Sequence, residues 1–204
     1  MSWAQEPYPN RAIRVIVPQP PGGGFDFVAR VLADKLALVF KNGVVVENRT
    51  GSGTLVGTEL AAKAAPDGYT LLMGSVSNLV LNVGLFKNLS YDPLKDFEPI
   101  GLAAAYSYTL VARKDLPFAT LGELVAYAKA NPGKLNYASS GIGSSNHLFC
   151  ELFKMRTGIQ MTHVPYKGVT QYNPDLIGGL VDLAFTTTAA SIAHLQTGKL
   201  RAIG

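Results

Sequence analysis

Ile13-Arg14-Val15-Ile16-Val17-Pro18-Gln19-Pro20-Pro21-Gly22-Gly23-Gly24-Phe25-Asp26 runs from a β-branched, buried-looking strand through three consecutive glycines into the helical pattern Phe27 to Phe40. Glycines strip a turn of Cβ atoms, so backbone N–H groups can come close to a ligand. At a helix N-terminus they also point at it, with a dipole that favours negative charge. The stretch therefore reads as an anion-docking turn at the carboxyl end of a strand. Asp26 stands where an N-cap would accept an orphan N–H, with ligand contact as the alternative. A β-branched residue at Gly23 is expected to obstruct the anion and to meet a positive φ.

Working outward, apolar β-rich runs alternate with helical patterns along nearly the whole chain. Strands are expected at Ala12 to Val17, Val44 to Glu47, Thr70 to Met73, Thr109 to Ala112, Leu135 to Ala138, Thr162 to Val164, Leu183 to Phe185 and from Arg201 onward. Helices are expected at Phe27 to Phe40, Leu55 to Ala65, Thr120 to Asn131, Asn146 to Thr157, Thr170 to Gly178 and Ala190 to Thr197. Such alternation predicts an α/β fold with largely parallel sheets. Pro66-Asp67-Gly68 and Asn131-Pro132-Gly133 close helices, and Thr120 with Glu123 reads as a capping box. Asn78 to Glu98 reads as an irregular crossover between two α/β units, residues 1–103 and 104–204.

Composition narrows the function classes. With 204 residues, 48% hydrophobic and 16% charged, the chain can bury a sizeable core, and no apolar run approaches the ~20 residues of a membrane span. The net charge of +4 and the pI near 9.1 come from scattered Lys and Arg without aromatic interleaving, which argues against nucleic acid. The single cysteine, Cys150, excludes an intrachain disulfide and reads as a buried apolar residue. Ser2-Trp3-Ala4 followed by Gln5 reads as the remnant of a signal-peptidase site behind an initiator Met1, which implies export.

Other turns at strand ends could complete a pocket. Tyr137-Ala138-Ser139-Ser140-Gly141-Ile142-Gly143-Ser144-Ser145-Asn146-His147 offers hydroxyl and backbone donors without fixed charge, suited to holding a carboxylate reversibly. His147, in the first turn of a helix, reads as a capping or packing residue. Gly74-Ser75-Val76-Ser77-Asn78, Val164-Pro165-Tyr166-Lys167-Gly168 and Thr186-Thr187-Thr188 also end strands, where ligands of open α/β sheets sit. Enzyme motifs are weak: there is no G-x-S-x-G elbow and no P-loop. Gly51 to Gly57 is one residue too long for a dinucleotide fingerprint, and no acidic residue ends the next strand. No metal centre is expected from His147, His163 and His194.

Several of these residues carry a family resemblance. Pro20-Pro21-Gly22-Gly23-Gly24 with Asp26 and Ala29-Arg30, Val46-Glu47-Asn48-Arg49, Pro66-Asp67-Gly68-Tyr69-Thr70-Leu71, Tyr91-Asp92-Pro93 with Asp96-Phe97, Asn131-Pro132-Gly133-Lys134-Leu135 and His163-Val164-Pro165-Tyr166-Lys167-Gly168 closely resemble the Bug (Bordetella uptake) substrate-binding proteins of tripartite tricarboxylate transporters. The resemblance implies a two-domain periplasmic binding protein of the type II, venus-flytrap kind, one that closes on a small carboxylate and delivers it to a membrane permease, without cofactor or catalysis. An enzyme acting on a carboxylated metabolite through Ser144 or Lys167, and a ligand-sensing partner of a signalling receptor, are the alternatives. It implies a carboxylate grip from Gly22, Gly23, Gly24, Asp26, Ser139, Gly141 and Ser144. Ser75, Asn78, Tyr166 and the threonine run Thr186-Thr187-Thr188 would meet the rest of the ligand. Gln19 stands where the family commonly has an aromatic residue, and Thr186 where it commonly has Asp. Members usually continue for about a hundred residues, so the chain reads as truncated at its C-terminus, with a dimer or chain exchange as one way to cover the first domain.

Overall fold

Four of the five residues of β1 (Ile13–Val17) are buried, as a strand covered on both faces requires. It lies at the centre of a three-stranded parallel sheet, flanked by β2 (Val44–Asn48) and β3 (Thr70–Leu72), with Val15 opposite both Val46 and Leu71. The computed structural model describes residues 7–203, so the signal-peptidase reading of Ser2 to Ala4 and residue Gly204 lie outside it. Parallel neighbours need crossover connections, and α1 (Gly24–Ala37) and α2 (Leu55–Ala62) supply them. Val15, Val17, Phe25 and Ala29 form the centre of this unit's core.

A second sheet has five strands in the order β6 (Thr162–Pro165), β5 (Asn136–Ser139), β7 (Leu183–Thr187), β4 (Tyr108–Arg113), β8 (Leu200–Ala202). Between its strands lie α4 (Leu121–Ala130), α5 (Ser145–Thr157), α6 (Val169–Gly178) and α7 (Thr188–Gln196). One face of the sheet buries Leu110, Tyr137 and Leu183 with Leu124 and Cys150, and the other buries Val111, Ala138 and Ala184 with Tyr172 and Leu176. Each fully buried Leu here stabilises the fold by about 1.5–3 kcal/mol. The Thr120–Glu123 capping box is present at the start of α4, and Cys150 is buried, which pushes its thiol up to about 12.

All eight expected strands and six expected helices are present within a few residues, in an α/β fold. Three points differ. The second sheet is mixed, because β4 runs antiparallel to both β7 and β8; it enters from a long crossover that reaches the sheet at its opposite end. Within the stretch expected to be irregular, Ser77–Leu81 forms a π turn that leads into a single helical turn, α3 (Asn82–Leu85). Buried amides hold it: Asn78 Nδ2 donates to Thr58 Oγ1, and Asn82 Nδ2 donates to the Thr54 and Tyr91 hydroxyls. Finally, α1 begins at Gly24 rather than Phe27, which puts Asp26 inside its first turn and Gly23 at the N-cap.

Candidate functional site

The turn after β1 needs glycine at Gly22, whose φ of +82° is open to few other residues. Gly23 is different: its φ is −85°, so no conformational demand fixes it, and the expected positive φ belongs one residue earlier. What Gly23 contributes is an N-cap without a side chain. Gly141 and Gly143, at +108° and +84°, shape the turn after β5 in the same way. His147 Nδ1 accepts the Gly143 N–H at 3.3 Å, the local capping role expected of it.

The two sheet units meet at these turns. A Cβ at Gly168 would lie 2.5 Å from Pro20, one at Gly22 2.9 Å from Thr170, and one at Gly53 2.1 Å from the Ile142 carbonyl oxygen. The dinucleotide-like segment around Gly53 is thus a packing contact between the units. Ser77 Oγ accepts the Ser145 N–H at 3.0 Å, so the π turn of the first unit satisfies a donor in the first turn of α5 in the second.

Between the turns lies a small inner cleft of about 30 Å³, lined by Gln19, Pro20, Gly23, Gly24, Phe25, Tyr108, Ser140, Ser144, Ser145, Asn146, Gly168, Val169, Tyr172, Thr186 and Thr187. Four of these residues are helix N-caps: Gly23 of α1, Ser144 of α5, Gly168 of α6 and Thr187 of α7. Gly23 and Gly168 have no side chain to cap with, and neither Ser144 nor Thr187 makes a side-chain capping bond. The Ser144 hydroxyl is instead within 2.5 Å of the Gly141 carbonyl oxygen and 2.7 Å of Asn146 Oδ1. Four helix N-termini without an N-cap side-chain bond therefore border one space, although Ser77 Oγ accepts the Ser145 N–H of α5 and the Ser107 carbonyl accepts the Thr188 N–H of α7, and no residue lining the space carries a formal charge. Burial pushes the Tyr108 phenol up and that of Tyr172 up to about 12, keeping both neutral hydrogen-bonding groups.

The sequence-nominated residues divide between this cleft, its mouth and the scaffold. Gln19, Gly23, Gly24, Ser144 and Thr186 line the inner cleft. Gly141 and Tyr166 line a wider outer groove together with Gln19, Ser144 and Lys167, and the Tyr166 hydroxyl is donated to Asp175 at 2.7 Å. Gly22, Asp26, Ser75, Asn78 and Ser139 line neither. Asp26 is buried and accepts from the Gly22 N–H, Arg30 Nε and Asn48 Nδ2, each at 2.9 Å. Burial alone would raise its pKa, but these hydrogen bonds hold the carboxyl below its ordinary value. Asn78 Oδ1 accepts from the Ser75 N–H and hydroxyl, at 2.7 and 2.8 Å, so both residues hold the turn after β3.

Ser139 is fully buried, with Oγ 2.6 Å from His163 Nε2. The His163 ring stacks on Tyr137 at 4.9 Å and lies 4.2 Å from the His147 ring. Burial, reinforced by His147, lowers His163 to about 4, and burial also lowers His147. Glu151 stands one helical turn after His147, a pair that a reading for metal ligands passes over. It accepts from the Tyr137 hydroxyl and from Lys154 at 2.7 Å. Among the described residues no group of three or more His, Cys, Asp or Glu is arranged to hold a metal ion, and no helix is long and apolar enough to cross a membrane.

Tyr108, Val169 and Tyr172 were missed from sequence, while Pro20, Phe25, Ser140, Ser145, Asn146, Gly168 and Thr187 lay in turns read as pocket-forming without being singled out one by one. The serines and Asn146 carried a signal, their place in the turn after β5. Tyr108 and Tyr172 carried none, since an aromatic on a strand or a core-facing helix reads as packing.

An α/β fold whose paired sheet units enclose an uncharged cleft is the architecture of periplasmic binding proteins, and solved members match closely. A Rhodopseudomonas palustris protein solved with adipate superposes with a TM-score of 0.92 at 34% identity, and MatC of the same organism, with bound malate, with 0.90 at 33%; they cover 97% and 96% of this chain and 66% of theirs. BugT of Bordetella pertussis is 41% identical over 197 residues, 96% of this chain and 60% of its own. A family model described as the tripartite tricarboxylate transporter family receptor, TctC, matches residues 28–204. The chain belongs to this receptor family. It spans about 60% of the length of the curated relatives it matches.

Proposed function

We propose that this chain forms the ligand cleft of a periplasmic solute-binding protein that captures a small organic carboxylate for a tripartite tricarboxylate transporter. The carrying observation is the convergence of four helix N-termini without side-chain caps on one cleft lined by hydroxyls, amides and backbone but no formal charge. Such a site stabilises an anion through oriented N–H groups and bridging water, and it releases that anion more readily than a desolvated ion pair would. We place the two lobes at residues 1–103 and 104–204, with the cleft between them and the membrane permease as the docking partner. The adipate and malate held by the structural relatives support the ligand class.

Binding without turnover is favoured by the state of the nucleophiles. Ser144 points its hydroxyl at Gly141 and Asn146 rather than at a base. Ser139 is buried and His163 half-buried, neither lines the cleft or the outer groove, and the imidazole is depressed to about 4. Isothermal titration calorimetry against aliphatic mono- and dicarboxylates and aromatic acids tests the proposal. Saturable 1:1 binding of one chemical class, with the acid recovered unchanged, is expected. A folded chain that binds none of them, or that converts its ligand, would overturn it.

A further inference from the structure

The hydroxyl of Thr186 stands out among the groups facing the inner cleft. Thr186 is 1% exposed, it lines the cleft, and its Oγ1 is buried without a protein hydrogen-bond partner. Its direction follows from the pleat of β7. Alternate residues share a face, so Thr186 projects with Ala184, which packs in the cluster of Tyr172 and Leu176, while Phe185 faces the opposite core. The Tyr172 phenol interacts with both the Thr186 hydroxyl and the Asn146 amide, but its approach to Thr186 Oγ1 falls short of hydrogen-bond geometry. A buried hydroxyl left unpaired is unfavourable, and a ligand group that pairs with it relieves that cost.

We propose that Thr186 is a specificity-determining residue, which takes an uncharged oxygen substituent, hydroxyl or keto, on the carbon chain of the bound carboxylate. The inference rests on the carboxylate-binding reading above and deepens it. A hydroxyl both donates and accepts, so it matches an alcohol or a carbonyl equally. It leaves an unsubstituted acid with an unpaired polar group across from it. An ammonium at the same position would face four positive helix ends with no carboxylate among the lining residues to pair with it, so amino analogues are excluded electrostatically.

The test uses acids that differ at one substituent. Calorimetric titration of the 204-residue chain with L-malate, succinate and L-aspartate is paired with lactate against propionate and 2-hydroxyadipate against adipate, so that chain length does not decide the outcome. For the length that fits, the hydroxy acid should bind at least about tenfold more tightly than its unsubstituted partner, and aspartate more weakly than succinate. Thr186→Val, isosteric without the hydroxyl, should bring the hydroxy and unsubstituted acids to within about threefold of each other. Thr186→Ser, which restores a hydroxyl, should return the preference, and this separates recognition from any packing defect of the valine. Equal affinities across every pair in the parent chain, or a preference that survives Thr186→Val, would overturn the assignment and leave carboxylate binding intact. If none of these acids nor any other carboxylate binds the folded chain, the carboxylate reading itself falls.

Discussion

Gly23→Ala separates the ligand grip from the fold. At the N-cap of α1, with φ at −85°, an alanine meets no backbone penalty, and its Cβ would sit 3.8 Å from Gln19 Oε1, the Pro20 carbonyl and Val169 Cγ1, ordinary contact distances. Two small effects on stability oppose each other. Alanine is the poorer N-cap by about 0.5–1 kcal/mol, while the loss of glycine's freedom in the unfolded chain contributes about 0.4–1 kcal/mol the other way. Tm should therefore move by no more than about 2–4 °C. Gly23 lines the inner cleft, however, so the added methyl keeps an anion from the first N–H groups of α1. Losing one charge-assisted hydrogen bond costs about 1.5–3 kcal/mol, an affinity loss of about 10- to 100-fold. Calorimetry with the tightest-binding acid of the panel, alongside a thermal melt, reads both quantities. Gly22→Ala is the contrasting variant: with φ at +82° and Thr170 Cγ2 2.9 Å from its Cβ, it should lower Tm as well as affinity. Unchanged affinity in Gly23→Ala would place the anion elsewhere and refute the reasoning.

Three further outcomes are expected. Lys167 is exposed in the outer groove and absent from the inner cleft, so Lys167→Met should weaken carboxylate binding by only about 0.5–1.5 kcal/mol, with little dependence on salt. Abolished binding in a folded Lys167→Met chain would mean that one cation, not backbone, holds the anion. Asp26→Asn should lower stability by about 1–3 kcal/mol through loss of its charged bonds to Arg30, Asn48 and the Gly22 N–H. Since the folded pKa of Asp26 is depressed, its contribution is present above its ordinary value near 3.8 and is lost as pH falls through the lower folded value, so the parent and Asp26→Asn melting curves should converge at acid pH. His163 goes from its ordinary 6.5 to about 4 on folding, so between those values the unfolded chain binds more protons and stability declines as the pH falls; His163→Gln should flatten that part of a Tm-versus-pH profile, and an unaltered slope would assign it to other groups.

What sequence could and could not convey follows from the physics of each element. The β1 run and the Thr120–Glu123 box are legible because burial on both faces and reciprocal capping demand particular residue types in particular order. Strand direction is another matter: side chains alternate identically in parallel and antiparallel strands, so nothing in Tyr108 to Arg113 discloses that β4 opposes its neighbours. The π turn escapes for a related reason. Asn78 and Asn82 look like loop residues, and only the tertiary partners Thr58, Thr54 and Tyr91 make their burial tolerable.

The same ambiguity decides which polar residues belong to the site. Asp26, Asn78 and Ser139 sit beside glycine-rich turns and have the chemistry of ligand contacts, yet each spends its hydrogen bonds on the scaffold that holds those turns. Thr186 has the same chemistry and is left unspent. Ser144 and Thr187 sharpen the point, because Ser and Thr at an N-cap read as capping residues, and here neither caps. Had those hydroxyls bonded back to their own helices, as Thr120 does, they would have capped two of the N-termini that border the cleft. The capped helix, α4, contributes nothing to the cleft lining, whereas α1, α5, α6 and α7, four of the six helices without side-chain caps, reach it with their N-cap residues. Local stability and anion recognition compete for the same N–H groups, and at the four helix ends that border the cleft no N-cap side chain takes them.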